Sequence, residues 1–545
     1  MTAIAPYRCA ARRANDGFGR LLHAEWTKFR TVRGWVVAIL LAPLLIVAVA
    51  FLQRSECGIG NPLPNGTTFN SACPASPIGP GGEAVTDSFY FAHQAVSGNG
   101  SITARITSLT GVYPAHGGHM AAAANPLAGY QPGVQPWAKA GIMISASTAQ
   151  GSAYAAMLVT GTHGTRMQWD YTGDAAGRPG AASATAPRWL RITRSGDTVL
   201  GYDSPDGTHW TLVKTVSVPG LPATAQVGLF TTSPSYQVIK TSFGGSSGTG
   251  GQTLATGRFD NVRVAWAGAG TTWTGTSVGA QGTGPAGVRS GPPGPDPFKG
   301  KFTQAAGAYT VSGAGDIAPD VPEAADGNGM SAQNALIGTV VGLIAVIIVA
   351  ALFMTAEYRR GLVRLTFAAS PRRGRVLAAK AVVIGLVTFV AGLAGAVIAL
   401  PLGIRQLRDG GNYVLPMSAL TEARMLAGVA AVLAVAAVLA LALGTLARRG
   451  VTAVTVVIVV IFLPFLLGTL QGLLPLGAQE WLLRLTPAAA FAVIQVVPAY
   501  HQVLAPYSAA NGYFPLSWWA GFGVLCLWAA GALTAAAYLL RRRDV

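Results

Sequence analysis

The sequence predicts an α-helical membrane protein with six transmembrane helices and a large all-β sandwich inserted between helices 1 and 2. Of the 545 residues, 51% are hydrophobic and only 11% are charged, whereas soluble proteins have about 25% charged residues. Six stretches are apolar over the roughly 20 residues that a helix needs to cross a bilayer. Between the first two stretches, short alternating runs separated by Gly, Pro, Asn and Asp indicate β-strands. This composition also argues against disorder.

The six predicted transmembrane helices follow the apolar stretches in chain order. They cover residues 34–52, 336–354, 377–401, 425–446, 451–470 and 518–540, so that residues 334–545 form a five-helix region. The third and fourth stretches are rich in alanine, and buried soluble helices are the alternative for these two. Small residues also suit close packing of helices in lipid. The near absence of ionisable residues in the stretches weighs against an ion-coupled secondary transporter.

Basic residues mark the cytoplasmic side. The formal net charge is +17, and Lys and Arg cluster in residues 1–33, in the loop 355–376, at Arg448–Arg449 and at the C-terminal end. The positive-inside rule therefore places both termini in the cytoplasm and residues 53–333 outside the cell. In so apolar a chain these charges indicate orientation rather than a nucleic-acid partner. The excess of Arg over Lys and the many alanines are typical of a GC-rich bacterial genome, which predicts a bacterial plasma membrane.

The outer segment begins with a linker, 53–84, that contains Cys57 and Cys73. Two nearby cysteines in an oxidising compartment predict a disulfide, with two free thiols as the alternative. The alternating runs predict a sandwich over 85–265, and Ser204-Pro205-Asp206-Gly207 predicts a hairpin turn inside it. The glycine-rich stretches 243–255 and 266–298 are typical of flexible connectors, so 266–333 is predicted to be a linker.

Metal chemistry has little support in the sequence. His116 and His119 have a spacing that a metal ion accepts, but no third ligand lies nearby, so a plain loop is the preferred interpretation and no metal site is predicted.

Part of the outer segment resembles a known family. The runs WAKAGIMIS (137–145), PRWLRITRSGDTVLGYDSPDGTHWTLV (187–213), AQVGLFTT (225–232) and ATGRFDNVRV (255–264) are similar to concanavalin A-like lectins and glucanases. The resemblance implies a jelly roll. In that family, a segment like GAYTVSGAGDI (307–317) comes before the run that TDSFYF (86–91) matches, whereas here it comes after. We therefore expect residues 302–317 to fold back as the missing strand.

The resemblance does not extend to catalysis. Glucanases of this fold use paired glutamates, and no Glu occurs between Glu83 and Glu323, so no enzyme activity is expected. Aromatic side chains are candidates for contact with carbohydrate, with core packing as the alternative for most of them. These candidates are Trp169, Tyr171, Tyr202 and Trp210.

Two basic elements lie on the predicted cytoplasmic side. Residues 18–30 have an amphipathic helical pattern, which fits a helix in the membrane interface and also a partner surface. The loop 355–376 reads as a short helix, a turn at Ser370-Pro371 and a second helix with a basic rim. A solvated positive-inside loop is the simpler alternative.

These elements resemble the permease subunit of type-2 ABC transporters. The similarity lies in LLHAEWTKFRTVRG (21–34), AEYRRGLVRLTFAASPRRGRVLAAK (356–380) and LTPAAAFAVI (485–494). It implies that the first two segments dock on a separate ABC ATPase subunit. The docking residues that it implies are Glu25, Trp26, Lys28, Glu357, Tyr358, Arg359, Gly361, Pro371, Arg372 and Arg373.

The sequence contains no Walker A motif. We therefore expect this chain to bind no cofactor itself and ATP with Mg²⁺ to bind the partner ATPase. A complete unit needs two permeases, as a homodimer or a heterodimer. The other expected partners are the lipid bilayer and a cell-envelope glycan.

The resemblance predicts an exporter of a hydrophobic or amphipathic compound. Members of the family usually have a short loop where this chain carries about 280 residues. The alternative is therefore a membrane-anchored sensor of the envelope or of carbohydrate, without transport activity.

Overall fold

Six apolar helices form the membrane part of the chain. The computed structural model describes residues 17–53, 73, 75–114, 127, 129–242, 245–279, 296–359, 372–470 and 472–542. Within them, six helices are long and apolar enough to cross a membrane. Named span 1 to span 6 in chain order, they are Arg33–Leu52, Ala332–Tyr358, Arg373–Asp409, Ala419–Ala447, Gly450–Thr469 and Trp518–Arg542. Each overlaps one predicted stretch, which confirms the prediction of six apolar helices.

Shorter helices flank the spans. The interface helix, Phe18–Thr31, precedes span 1 and places its charged residues beside the end of span 2 and the beginning of span 3. Between spans 5 and 6 lie the α-helix Leu476–Leu485 and the 3₁₀ helix Pro487–Ile494. Smaller 3₁₀ turns are Pro297–Lys299, Ala332–Leu336 and Ala509–Asn511.

Small residues let the spans approach closely. A side chain added at Gly395 of span 3 would lie 3.0 Å from the Cα atom of Pro43 in span 1. Gly392, one turn earlier, faces Ala430 and Leu433 of span 4 in the same way. Such contacts let helix backbones pack tightly in lipid, where no hydrophobic effect drives them together. The alanine-rich span 3 thus packs closely against spans 1 and 4.

The segment between spans 1 and 2 is rich in β-strands, and one more short strand follows span 3. In chain order these are β1 Val85–Asp87, β2 Phe89–Ser97, β3 Gly100–Pro114, β4 Tyr130–Pro132, β5 Lys139–Ser145, β6 Tyr154–Thr160, β7 Thr165–Trp169, β8 Gly173–Ala176, β9 Arg188–Ser195, β10 Thr198–Ser204, β11 Thr211–Ser217, β12 Thr224–Thr232, β13 Tyr236–Ser242, β14 Gly245–Gly251, β15 Leu254–Trp266, β16 Thr274–Val278, β17 Lys301–Ala305, β18 Ala308–Gly313, β19 Ile317–Pro319, β20 Gly329–Met330 and β21 Tyr413–Val414.

Two large antiparallel sheets pack face to face. The first has the order β11-β10-β9-β3-β15-β18-β17, with β4 beside β3, and the second has the order β16-β2-β12-β5-β6-β7-β8. Buried residues alternate with less buried ones along β3, where Ile102, Ala104 and Ile106 point into a core shared with the second sheet. This is the predicted sandwich, and its concanavalin A-like identity stays a prediction.

The segment 302–317 belongs to the sandwich. Strand β18 pairs with Ala255–Phe259 of β15, and β17 pairs with β18 at the sheet edge. The following strand, β19, pairs with β1. The chain therefore leaves the sandwich close to where it entered, next to span 2.

Two predicted connectors contain strands. Residues 245–251 pair with β13, and β16 is an edge strand beside β2. A β-ladder needs only backbone N–H and C=O groups, so a glycine-rich composition did not exclude strands here. The hairpin turn at 204–207 is present, because β10 pairs with β11, Asp206 accepts the backbone N–H groups of Thr208 and His209, and Gly207 has a φ of +80°.

The sandwich contacts two segments of the membrane part, one after span 3 and one before span 6. Strand β20 pairs in parallel with β21, which follows span 3. Gln502, in the segment before span 6, donates a hydrogen bond of 3.2 Å to the carbonyl oxygen of Tyr171. Val321 of the sandwich exit packs in one buried cluster with Val503 and Tyr513 of that segment.

Candidate functional site

Four charged side chains meet where the interface helix touches spans 2 and 3. The Lys380 ammonium lies 2.6 Å from Oε2 of Glu25 and 2.7 Å from Oε1 of Glu357. Lys28 bridges the same two carboxylates at 2.8 and 3.3 Å. We name Glu25, Lys28, Glu357 and Lys380 the ion cluster. It joins the interface helix to spans 2 and 3, whose residues in the cluster lie more than 300 positions further along the sequence.

The ion cluster is largely closed to solvent. The side chains of Lys380 and Glu25 are 1% and 3% exposed, whereas that of Lys28 is 41% exposed. Lys380 also lies 4.7 Å from the ring centroid of Phe353 in span 2, a distance at which a cation is attracted to the ring face. Removing one partner from such a buried group is strongly destabilising, because a charge is left without compensation.

Lys28 forms the outer edge of the ion cluster. Burial lowers the pKa of its ammonium, but the hydrogen bond that it donates to Glu25 and the charges of Glu357 and Glu25 outweigh burial and raise the pKa above its usual value. Lys28 is therefore cationic at neutral pH.

Aromatic contacts fix the interface helix on the spans. Phe29 packs edge-to-face on Phe353 with ring centroids 5.8 Å apart, and Trp35 meets the same ring at 5.9 Å. Trp26 stacks on Phe29 but leaves 43% of its surface exposed. The helix thus buries its Phe29 side and presents Trp26 outward.

Most of the predicted docking residues that the structure describes make contacts with other parts of this chain. Glu25, Lys28 and Glu357 form the ion cluster within the chain, so their role in docking stays a prediction. Arg373 donates a hydrogen bond of 2.7 Å to the carbonyl oxygen of Leu540 in span 6, and the guanidinium of Arg448 lies 5.8 Å from the ring of Tyr358.

Two further docking candidates flank the loop between spans 2 and 3. Arg359 is the last residue of the α-helix Thr339–Arg359 and directly follows span 2, and Arg372 is exposed immediately before span 3. Gly361 and Pro371 lie outside the described residues.

Lys380 is the functional candidate that sequence reasoning missed. In the sequence pattern, Lys380 is only the last residue of the basic segment 356–380. The available signal was a single lysine at the start of the apolar run that becomes span 3, because an ionisable residue at such a position usually has a partner.

The aromatic residues of the sandwich have mixed environments. Tyr171 is only 2% exposed and its hydroxyl donates to Asp87 over 2.7 Å, so it offers no surface to a sugar, contrary to the prediction. Trp169 and Tyr202 are half-buried, and Trp169 packs against the sandwich core. The Trp210 ring is covered on one face by the Arg191 guanidinium at 3.9 Å.

Several residues singled out in the sequence lie outside the part of the chain that the structure describes. Cys73 takes part in a disulfide, but Cys57 lies outside the described residues, so their pairing stays a prediction. His116 and His119 also lie outside them.

Two buried carboxyl groups predict that the sandwich is more stable at mildly acidic pH. Burial raises the pKa of Asp87 and of Asp326 to about 6, although hydrogen bonds from Tyr171 and Ser235 respectively oppose this effect. Both groups bind a proton in the folded state at pH values where the unfolded chain has lost it. The free energy of unfolding is therefore expected to fall as pH rises from 5 to 7, by about 1 kcal/mol for each group.

Thermal unfolding of the intact protein across this pH range measures the effect. Asp87→Asn should reduce the pH dependence, and Asp197→Asn, at an exposed turn, should leave it unchanged. Equal pH dependence in the wild type and Asp87→Asn would contradict the assignment to Asp87.

The comparisons with known proteins identify the membrane part. The model of the ABC-2 family transporter proteins matches residues 141–545. No curated protein matches the sequence.

Several solved structures resemble the chain weakly. SCP-B, an eqolisin-family peptidase solved with the tripeptide Ala-Ile-His, is 7% identical with a TM-score of 0.24, over 42% of this chain and 98% of that one. Scytalido-glutamic peptidase with a peptide-based transition-state analogue is 8% identical with a TM-score of 0.25 over the same shares. A functionally unknown Saccharomyces cerevisiae protein is 15% identical with a TM-score of 0.20, over 36% of this chain and 84% of that one. TM-scores this low establish neither the fold nor the function of this chain.

Proposed function

Because the chain belongs to the ABC-2 transporter family and forms a membrane-spanning permease subunit, we propose that it exports a hydrophobic or amphipathic compound with energy from a separate ATPase subunit. The family match over residues 141–545, which include spans 2 to 6, is the observation that carries this proposal. Two such permeases and two ATPases would form the complete unit.

The ion cluster supports a route for the energy. It ties the interface helix to the end of span 2 and to the beginning of span 3. A partner that pushes on this helix would therefore move both spans together, because buried, paired charges resist separation. ATP and Mg²⁺ would bind the partner, in keeping with the lack of a Walker A motif in this sequence.

The proposed topology follows from the charges. Both termini and the ion cluster would face the cytoplasm of a bacterial cell, and residues 53–333 would lie outside. The sandwich would then stand over the outer end of the spans, where a cell-envelope glycan is one candidate contact. Protease treatment of intact cells should cut the sandwich and leave the interface helix untouched, and the reverse pattern would contradict this topology.

Exposed Trp26 predicts a measurable loss of docking when it is replaced. Trp residues dominate the binding energy of many protein interfaces, with losses of about 2 kcal/mol or more on truncation. Trp26→Glu is therefore expected to reduce co-purification of the cognate ATPase at least about tenfold. Trp26→Phe, which keeps the stacking on Phe29, should retain most of it.

The matched control carries the same change on another surface. Leu212 is 49% exposed on β11 of the sandwich, and Leu212→Glu should leave ATPase binding unchanged. If Trp26→Glu behaves like this control, the interface helix is not the docking surface. If the wild type binds no ATPase at all, the transport proposal itself fails.

A further inference from the structure

A cavity lies between the sandwich and the outer ends of the spans. Its volume is about 360 Å³, within the range of small-molecule sites. Four separate segments line it. They are residues 81–84 before β1, 319–320 after the sandwich, 415–421 at the start of span 4 and 496–500 before span 6. The cavity therefore exists only because the sandwich sits on the membrane part.

The lining combines negative charge with apolar surface. Glu83 and Asp320 both contribute, and among the described lining residues none is Lys, Arg or His. The larger aliphatic side chains come from the membrane part and are Leu415, Met417, Val496 and Val497. A ligand that fits this surface carries positive charge at one end and apolar groups at the other.

The two carboxylates have no cationic partner within the described residues. Asp320 is 4% exposed and accepts hydrogen bonds from the hydroxyl of Ser76 and the backbone N–H of Asn328. Oε1 of Glu83 is shielded from solvent and has no hydrogen-bond partner there. Burial raises the pKa of both carboxyl groups, although hydrogen bonds from backbone N–H groups, and from Ser76 at Asp320, partly oppose it, and the nearby Asp170 adds to the rise at Glu83. Ionised carboxylates in such surroundings are costly unless a cation pairs with them.

We propose that this cavity binds an organic cation that bears apolar groups, and that it is the outward-facing substrate site of the transporter. This inference rests on the proposed function. A divalent metal ion fits less well. Calcium takes six to eight oxygen ligands, whereas much of this lining is aliphatic and the described part of the chain contains no group of three or more His, Cys, Asp or Glu placed to hold a metal.

A pair of probes with the same shape and opposite charge tests the assignment. Binding of tetraphenylphosphonium and of tetraphenylborate is measured on the intact protein in lipid nanodiscs, and binding to empty nanodiscs is subtracted. The protein is expected to bind the phosphonium at least tenfold more tightly than the borate. Equal affinities would overturn the proposal, because apolar contact alone would then explain binding.

Two variants locate the site. Glu83→Gln should weaken phosphonium binding at least tenfold, and Val497→Trp should do so by filling the cavity. Glu422→Gln is the control, because Glu422 is exposed in the first turn of span 4 and does not line the cavity. Wild-type affinity in both Glu83→Gln and Val497→Trp would overturn the proposal, and so would displacement of the phosphonium by micromolar calcium.

The outcomes for the cavity and for transport are separable. Absence of phosphonium binding in a protein that still binds its ATPase and supports ATP turnover would remove the cavity proposal alone. Phosphonium binding in a protein without any ATPase partner would instead remove the proposed export.

Discussion

Lys380→Met is expected to destabilise the folded membrane part by about 3–5 kcal/mol. The substitution keeps the length and apolar stem of the side chain but leaves the carboxylates of Glu25 and Glu357 without their closest cation. Lys28 remains, yet it lies 3.3 Å from Glu357 and is 41% exposed. Unfolding of the purified protein in mixed detergent micelles, followed by near-UV circular dichroism, measures the loss.

Lys28→Met is the matched control for this prediction. It removes a lysine from the same ion cluster at a solvent-exposed position, where ion pairs contribute about 0–1 kcal/mol. A triple variant, Lys380→Met with Glu25→Gln and Glu357→Gln, should recover much of the stability because no buried charge remains. Equal stability of Lys380→Met and Lys28→Met would show that the buried Lys380 does not stabilise the membrane part more than the partly exposed Lys28 does.

The same variants distinguish a loss of stability from a loss of coupling between the interface helix and spans 2 and 3. If the ion cluster couples the interface helix to spans 2 and 3, the triple variant should fold and bind the ATPase. Its ATP turnover should no longer respond to the transported compound. A fully responsive triple variant would mean that aromatic packing around Phe29 and Phe353 alone carries the coupling.

Local patterns in the sequence predicted most of the elements. A membrane span is recognisable from about 20 neighbouring residues, and a strand from alternation over a few residues. The alternating runs thus predicted a sandwich over 85–265, and the run 336–354 predicted the core of span 2. Strand β14 was missed because its glycines contribute backbone pairing without any side-chain pattern.

The candidate sites depend on contacts that no local pattern encodes. Glu25 and Lys380 are 355 residues apart and meet only after three helices pack. The cavity between the sandwich and the spans likewise combines residue 83 with residue 500. The residue types for docking were predicted from family resemblance, but which of them pair inside the chain was not, because pairing is set by tertiary packing.

Lys139→Met is expected to have an effect of similar size in the sandwich. The Lys139 side chain on β5 has no exposed surface, and its ammonium donates to Asp316 over 2.6 Å and to the carbonyl oxygen of Ile317 over 2.7 Å. The substitution leaves a carboxylate buried without its cation, which costs about 3–5 kcal/mol. For a domain of 150–250 residues this corresponds to a fall in unfolding temperature of about 10 °C.

Limited proteolysis of the intact protein over a temperature series measures this loss. Lys214→Met on β11 is the control, because it removes an exposed lysine from the same domain. The double variant Lys139→Met with Asp316→Asn should regain part of the stability. An unfolding temperature for Lys139→Met equal to that of Lys214→Met would contradict the prediction.

The Lys139–Asp316 ion pair is also expected to affect ligand binding in the cavity between the sandwich and the spans. Asp316 immediately precedes the strand that begins at Ile317, pairs with β1 and leads toward span 2. Asp320, which lines the cavity between the sandwich and the spans, follows on the same segment. Loosening this segment should therefore weaken phosphonium binding even at temperatures where the sandwich remains folded, whereas Lys214→Met should not. Intact binding in a folded Lys139→Met protein would show that the cavity keeps its shape without the buried pair.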